Sequence, residues 1–206
     1  MVTVDLIRHG ETPVMGRYMG RTNVALASRG WEQMHTALHD RGPWDAVVSS
    51  PLKRCADFAR AFARGHGLGF EIDERFREID FGAWEGRSAA EISAGDPGAL
   101  ERFWNDPLNN TPPQAEPLRA FASRVLAAWS ALIEGHAERG VLLVTHGGVI
   151  GVIRCDAERR PLCHLLRREV AHGSIYRIAI NEQSSDIEQT IEGVISLALR
   201  PGPFCG

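Results

Sequence analysis

Apolar residues along this chain switch between two spacings, short unbroken runs and recurrences every three or four positions. Runs rich in β-branched residues or leucine at 2–7, 45–49 and 141–145 have the length and composition of parallel strands buried on both faces. Ser28 can cap a helix running to about residue 41, with Trp31, Met34 and Leu38 on one face and Gly42-Pro43 closing it. Ser50-Pro51 predicts the start of a second helix, with proline in the first turn, where its missing donor costs nothing, and Phe58 and Phe62 following at helical spacing. A short strand is expected at 70–72, and Ser88-Ala89-Ala90-Glu91 reads as a capping box. The longest helix is predicted over 117–139, where Leu118, Phe121, Val125, Trp129 and Leu132 form one apolar stripe before Gly140. Residues 173–180 predict a further strand at a sheet edge. Trp31, Phe58, Phe62, Trp129 and Leu132 are assigned to the core.

Strands alternating with helices, without repeats, predict an α/β fold: a three-layer sandwich whose mostly parallel central sheet is flanked by helices. Asp106-Pro107, Asn109-Asn110 and Pro112-Pro113 crowd the least regular stretch, so 82–117 is read as a small cap inserted over the sheet. A chain of 206 residues suffices for one such domain, taken as 1–206.

A formal net charge of −3 gives no global attraction to nucleic acid or anionic membranes, so anion binding must come from a local cluster. Neither an export signal nor a run of membrane-spanning length is present, which predicts a cytoplasmic protein without membrane insertion. The four cysteines, Cys55, Cys155, Cys163 and Cys205, lack metal-site spacing and are read as reduced thiols.

Three predicted strands end in histidine or cationic residues: Leu6-Ile7-Arg8-His9-Gly10, Ser49-Ser50-Pro51-Leu52-Lys53-Arg54 and Val144-Thr145-His146-Gly147-Gly148. Ligands of open parallel sheets bind beyond the carboxyl ends of the strands, so these segments can share one crevice. Glycines 10, 147 and 148 would let backbone approach a phosphate closely. Arg8 and Arg54 offer guanidinium forks to non-bridging oxygens and would hold a histidine between them neutral. His9 is then the candidate nucleophile, with a further donor to the phosphoryl oxygens from His146. For proton transfer to the leaving oxygen Glu78 is the first candidate, and Asp80 and Glu85 are rivals. This chemistry needs no metal and no cofactor. His35 and His39 stand four apart on a predicted helix without a third ligand and are read as a solvated face.

Leu6-Ile7-Arg8-His9-Gly10-Glu11-Thr12 resembles the signature of the histidine phosphatase superfamily, also called phosphoglycerate mutase-like. Three later elements of that family follow in order: Ser49 to Cys55, Arg77 to Gly86, and Val144 to Gly148. The resemblance implies a phosphoglycerate mutase-like fold, phosphorylation of His9, phosphate binding by Arg8, Arg54 and His146, and proton donation by Glu78. Phe103-Trp104-Asn105-Asp106-Pro107, Pro112-Pro113 and Glu116 resemble the cap of the α-ribazole phosphatase branch and its broad-specificity relatives. Two departures stand out: Val14-Met15-Gly16 where many members place an asparagine, and Ala115-Glu116-Pro117 in place of Gly-Glu-Ser. Arg17, Tyr18 or Asn23 are candidates to replace the missing contact, while Trp84 and Trp104 either line the cleft or pin the cap.

The expected activity is hydrolysis of a small phosphomonoester through a phosphohistidine, with α-ribazole 5'-phosphate the first named substrate. A phosphoglycerate mutase and a non-catalytic phosphate-binding or partner-binding module are the alternatives. The partner is a small phosphate ester, and a homodimer stays open.

Overall fold

The structure, a computed structural model, describes residues 1–167, 169–181, 188–191 and 194–198. Its strands are β1 (Val2–Arg8), β2 (Ala46–Ser49), β3 (Gly69–Ile72), β4 (Gly140–Thr145), β5 (Ile175–Asn181), β6 (Glu188–Ile191) and β7 (Val194–Ala198). The α-helices are α1 (Ser28–Leu38), α2 (Lys53–His66), α3 (Ala89–Gly95), α4 (Ala99–Asn105), α5 (Leu118–Gly135) and α6 (Gly147–Ala157). One sheet in the order β3-β2-β4-β1-β5-β6-β7 unites the strands. β3, β2, β4 and β1 run parallel, and β5 to β7 continue antiparallel.

Alternation along the strands builds a core on each face. Val4, Leu6 and Leu143 join Phe121, Val125 and Trp129 of α5 and Ile150 and Ile153 of α6. Ile7, Val47, Leu142 and Val144 meet Met34 and Leu38 of α1 and Phe58 and Phe62 of α2 on the other side. Each large apolar side chain so buried contributes about 1.5–3 kcal/mol, which fixes the parallel strands between the two helical layers. Trp31 is only partly buried, packing on the edge of the second core.

Asp5, inside the apolar run of β1, is buried. Arg177 stands opposite it in the β1–β5 register and donates from Nε and NH2 at 2.8 Å each. Trp44 Nε1 adds a third bond at 2.8 Å. The buried carboxylate is thereby compensated, and the antiparallel strands are tied to the parallel ones.

The stretch 82–117 carries α3, α4 and a 3-10 turn at Gly82–Trp84. Trp84, Ile92 and Phe103 form a small apolar cluster of their own, against which Tyr18 and Phe81 pack. The predicted capping box is present: Ser88 Oγ accepts from the Glu91 amide, and Glu91 returns a carboxylate oxygen to the Ser88 amide.

Several expectations are corrected. α1 stops at Leu38, because His39 turns extended and Asp40 adopts φ 61°, a conformation aspartate tolerates. His39 pairs with Asp40 and His35 packs edge-on against Phe58, both exposed to solvent as the sequence reading had them. α2 begins at Lys53, later than Ser50-Pro51, and the buried Ser50 hydroxyl accepts from the Leu52 amide and from His146. α5 ends at Gly135, short of the predicted 139. β5 lies inside the sheet, between β1 and β6; strands 188–191 and 194–198 have no counterpart in the sequence reading. Cys55 and Cys155 are free and buried, but Cys163 is disulfide-bonded. Pairing depends on a spatial approach that spacing along the chain does not reveal, and the reading of four reduced thiols loses its force. Among the described residues no helix is long and apolar enough to cross a membrane.

Candidate active site

Register brings the strand ends together. Arg8 is level with Thr145, and Ser49 with Val144. The amide of His9 bonds the Thr145 carbonyl at 2.9 Å, and that of Ser50 the Val144 carbonyl at 3.0 Å. His9, Ser50 and His146 therefore leave the sheet side by side at its carboxyl edge.

Arg54 organises the two imidazoles. Its Nε lies 3.2 Å from His9 Nε2 and 3.3 Å from His146 Nδ1. A guanidinium only donates, so both nitrogens present lone pairs. His9 Nδ1 carries the proton and gives it to the Gly10 carbonyl at 2.8 Å. His146 Nε2 carries the other and donates to Ser50 Oγ at 2.7 Å. Burial first, and the Arg54 charge second, hold both rings well below the usual imidazole range. His9 is thus neutral with Nε2 unprotonated, which a nucleophile requires.

The terminal nitrogens of Arg54 are spent elsewhere. NH1 donates to Thr22 O at 2.7 Å, and NH2 to Gly20 O at 2.7 Å and Met19 O at 3.3 Å. The expected fork toward phosphate is therefore turned onto the 19–22 loop, leaving Nε facing the histidines. His146 is fully buried, with both nitrogens engaged, and stands behind the cavity wall. Its expected direct donation to an oxyanion is not the geometry observed. Arg8 lines the cavity, donating from NH1 to Val170 O, while its Nε has no partner.

The three rival carboxylates separate cleanly. Glu78 lines the cavity, its oxygens accepting from the amides of Gly148 at 3.0 Å and Ile79 at 3.1 Å. Asp80 accepts from the Gly82 amide at 2.8 Å and pairs with Arg21. Glu85 takes the amides of Gly20, Arg21, Thr22 and Phe81, holding the loop that in turn holds Arg54. Neither of these two is on the cavity wall.

Of the three glycines expected near a ligand, Gly147 and Gly148 lie on the cavity wall and Gly10 does not, and packing restricts all three. A Cβ on Gly10 would fall 2.2 Å from the Gly30 carbonyl oxygen, and one on Gly148 2.3 Å from Glu78 Oε1. A Cβ on Gly147 would meet the Arg8 guanidinium group at 3.4 Å.

Above His9 the cavity opens to about 560 Å³. Arg17, Tyr18 and Trp104 lie on its wall, as do Met15 and Phe103. Trp104 is 47% exposed and Met15 55%. Arg17 is paired with Glu91 at 2.7 Å. Asn23 is off the wall, because its Oδ1 accepts from the Lys53 amide at 2.8 Å at the start of α2. Trp84 is also off the wall, buried in the cluster with Ile92 and Phe103.

Two residues escaped the sequence reading. His172, its ring centroid 5.5 Å from that of His9, lines the cavity. An antiparallel strand begins at the edge where parallel strands end, so the His172-Gly173 pair before β5 carried the signal. Arg124 of α5 donates to the carbonyls of Arg75 and Arg77 at 2.8 Å each and of Glu78 at 3.1 Å, and pairs with Glu116 at 2.7 Å. Nothing in its helical spacing marked it.

Residues 4–192 match the family description "Histidine phosphatase superfamily (branch 1)". The chain belongs to the histidine phosphatase superfamily. Within that family it is 36% identical over 191 residues to a bifunctional protein of Mycobacterium tuberculosis, covering 89% of this chain and 49% of the relative. The chain thus spans about half the length of that relative. It is 31% identical to the adenosylcobalamin/alpha-ribazole phosphatase of Escherichia coli, over 86% of this chain and 90% of that one. The solved structure of Bacillus stearothermophilus YhfR superposes with a TM-score of 0.83 at 29% identity, covering 95% and 98% of the two chains.

Proposed function

We propose that this protein is a phosphomonoesterase that passes the phosphoryl group through His9 to water. The observation carrying this reading is the neutral His9 ring, whose Nδ1–H is anchored on Gly10 and whose Nε2 lone pair faces Arg54 Nε, on a cavity wall shared with Arg8 and Glu78. His9 Nε2 attacks phosphorus, the P–O ester bond breaks, and the leaving oxygen takes a proton from the Glu78 carboxylic acid. Water then gives a proton to the Glu78 carboxylate and attacks the phosphohistidine, whose P–N bond breaks to release phosphate. Arg8 neutralises charge on the phosphoryl oxygens, and Arg54 and His146 hold the nucleophile in place.

For the alcohol, we read an uncharged group with a flat apolar face, and α-ribazole 5'-phosphate is the named candidate. Met15, Tyr18, Phe103 and Trp104 offer apolar surface at the mouth, and the wall cation there, Arg17, is already paired with Glu91. Exposed aromatic and thioether groups at a cavity mouth favour such ligands. The name of the Escherichia coli relative points the same way. A mutase acting on phosphoglycerates would need further cations for a carboxylate and a second phosphate, which this wall does not favour. The whole chain is read as one domain, with 82–117 as a cap that sets substrate choice.

The test is acid-quenched turnover with 32P-labelled substrate, followed by a metabolite panel assayed with and without EDTA. Label on His9, phosphate release that EDTA leaves intact, and loss of both in His9→Ala are expected. Absence of labelled histidine together with no phosphate from any substrate would favour a binding module, and transfer to a second hydroxyl would favour a mutase.

A further inference from the structure

Beside His9, Arg8 Nε stands without a partner and Arg54 Nε faces the two imidazoles. Arg54 gives its terminal nitrogens to the 19–22 loop, and His146 has both ring nitrogens engaged. Arg8 spends NH1 on Val170. Against this stands His172, which lines the same cavity with its ring tilted 54° to that of His9. Neither of its ring nitrogens has a hydrogen-bond partner among the described residues. It is held in place by backbone alone: the Gly173 amide donates to the Arg8 carbonyl, and the Arg8 amide to the Ser174 carbonyl, each at 3.1 Å.

We infer that His172 is a further phosphate-binding residue, which takes a proton from solvent as the oxyanion enters and donates it, as an imidazolium hydrogen bond, to a phosphoryl oxygen. The inference rests on the phosphatase reading of this cavity. The charged and titratable groups facing the ring are Arg8 and His9 at the end of β1, Glu11 just beyond, and Glu169 before β5. Burial, and after it Arg8, push His172 down to about 4, so the ring is neutral. A dianion against the ring opposes the Arg8 charge and favours the protonated form. By linkage, anion binding then takes up protons and tightens as pH falls.

Inorganic sulfate is the probe, because it stays a dianion throughout the pH range used. On the full chain its dissociation constant should tighten roughly 10-fold from about pH 8 to about pH 5. Calorimetry in buffers of different ionisation enthalpy should show proton uptake. In His172→Gln the pH slope should disappear and sulfate should bind more weakly at the acid end. A variant that keeps the wild-type slope and affinity overturns the assignment. NMR titration of the His172 ring in the unmodified protein gives a second reading. Sulfate should raise its titration midpoint, and an unmoved midpoint also overturns the assignment. A protein that binds sulfate in this way yet releases phosphate from no monoester retains His172 as an anion ligand and refutes the phosphatase reading.

Discussion

Arg54 Nε–H is shared between His9 Nε2 and His146 Nδ1, so a proton added to either nitrogen would face a guanidinium group at hydrogen-bond distance. That contact, with burial, keeps His9 neutral at pH values where free imidazole is half protonated. Glu78 is oriented by the amides of Gly148 and Ile79. Glu78→Gln should lower kcat on alkyl phosphates roughly 100- to 10,000-fold and spare p-nitrophenyl phosphate, whose leaving group hardly needs a proton. Steady-state rates on the two substrates check this, and equal losses would remove Glu78 from the acid role. Gly148→Ala places a Cβ 2.3 Å from Glu78 Oε1. The carboxylate must shift, and the same alkyl-selective loss is expected, on the order of 10- to 100-fold.

α5 does more than cover the sheet. From one of its turns Arg124 reaches the backbone of residues 75, 77 and 78 while Glu116 fixes the guanidinium group. It is a positioning residue for Glu78. Arg124→Gln should cut kcat on alkyl phosphates about 10-fold with little change in KM, and Arg124→Lys should not rescue it, because a lysine cannot span three carbonyls and a carboxylate with one fork. A fall in thermal stability with unchanged kcat would contradict that role. The short helices α3 and α4 have seven residues each, too few to hold their shape without tertiary contacts. The Trp84, Ile92 and Phe103 cluster supplies those contacts.

Stability of the molecule as a whole should depend on pH through its buried imidazoles. His9 and His146 are held well below the unfolded value of 6.5, and His172 at about 4. Below 6.5 the unfolded chain binds protons that the folded one does not, so stability falls as pH drops through 6.5 toward 4. Asp156, raised to about 6 by burial, acts in the opposite sense, but one carboxyl opposes three imidazoles. Tm should therefore fall on acidification from neutrality, and fall less in His172→Gln, as scanning calorimetry would read. Asp5→Ala removes the buried carboxylate on which Arg177 and Trp44 converge and should cost about 3 kcal/mol in denaturant titration. A loss within the scatter of surface substitutions would show the pair to be dispensable.

Local periodicity sufficed for β1, β2, β4 and the apolar faces of α1, α2 and α5, because burial on both sides of a parallel sheet leaves its mark residue by residue. The gathering of residues at their carboxyl ends was equally legible: Arg8, His9, Arg54 and His146 each follow a recognisable strand. Which way those side chains turn was not. Only folding put the Arg54 fork on the 19–22 loop, set His146 behind the wall, placed Glu78 but not Asp80 or Glu85 on the cavity wall, brought His172 beside His9, bonded Cys163 and buried β5 inside the sheet. Each of these depends on approach between segments far apart in the chain, which no spacing within a segment encodes.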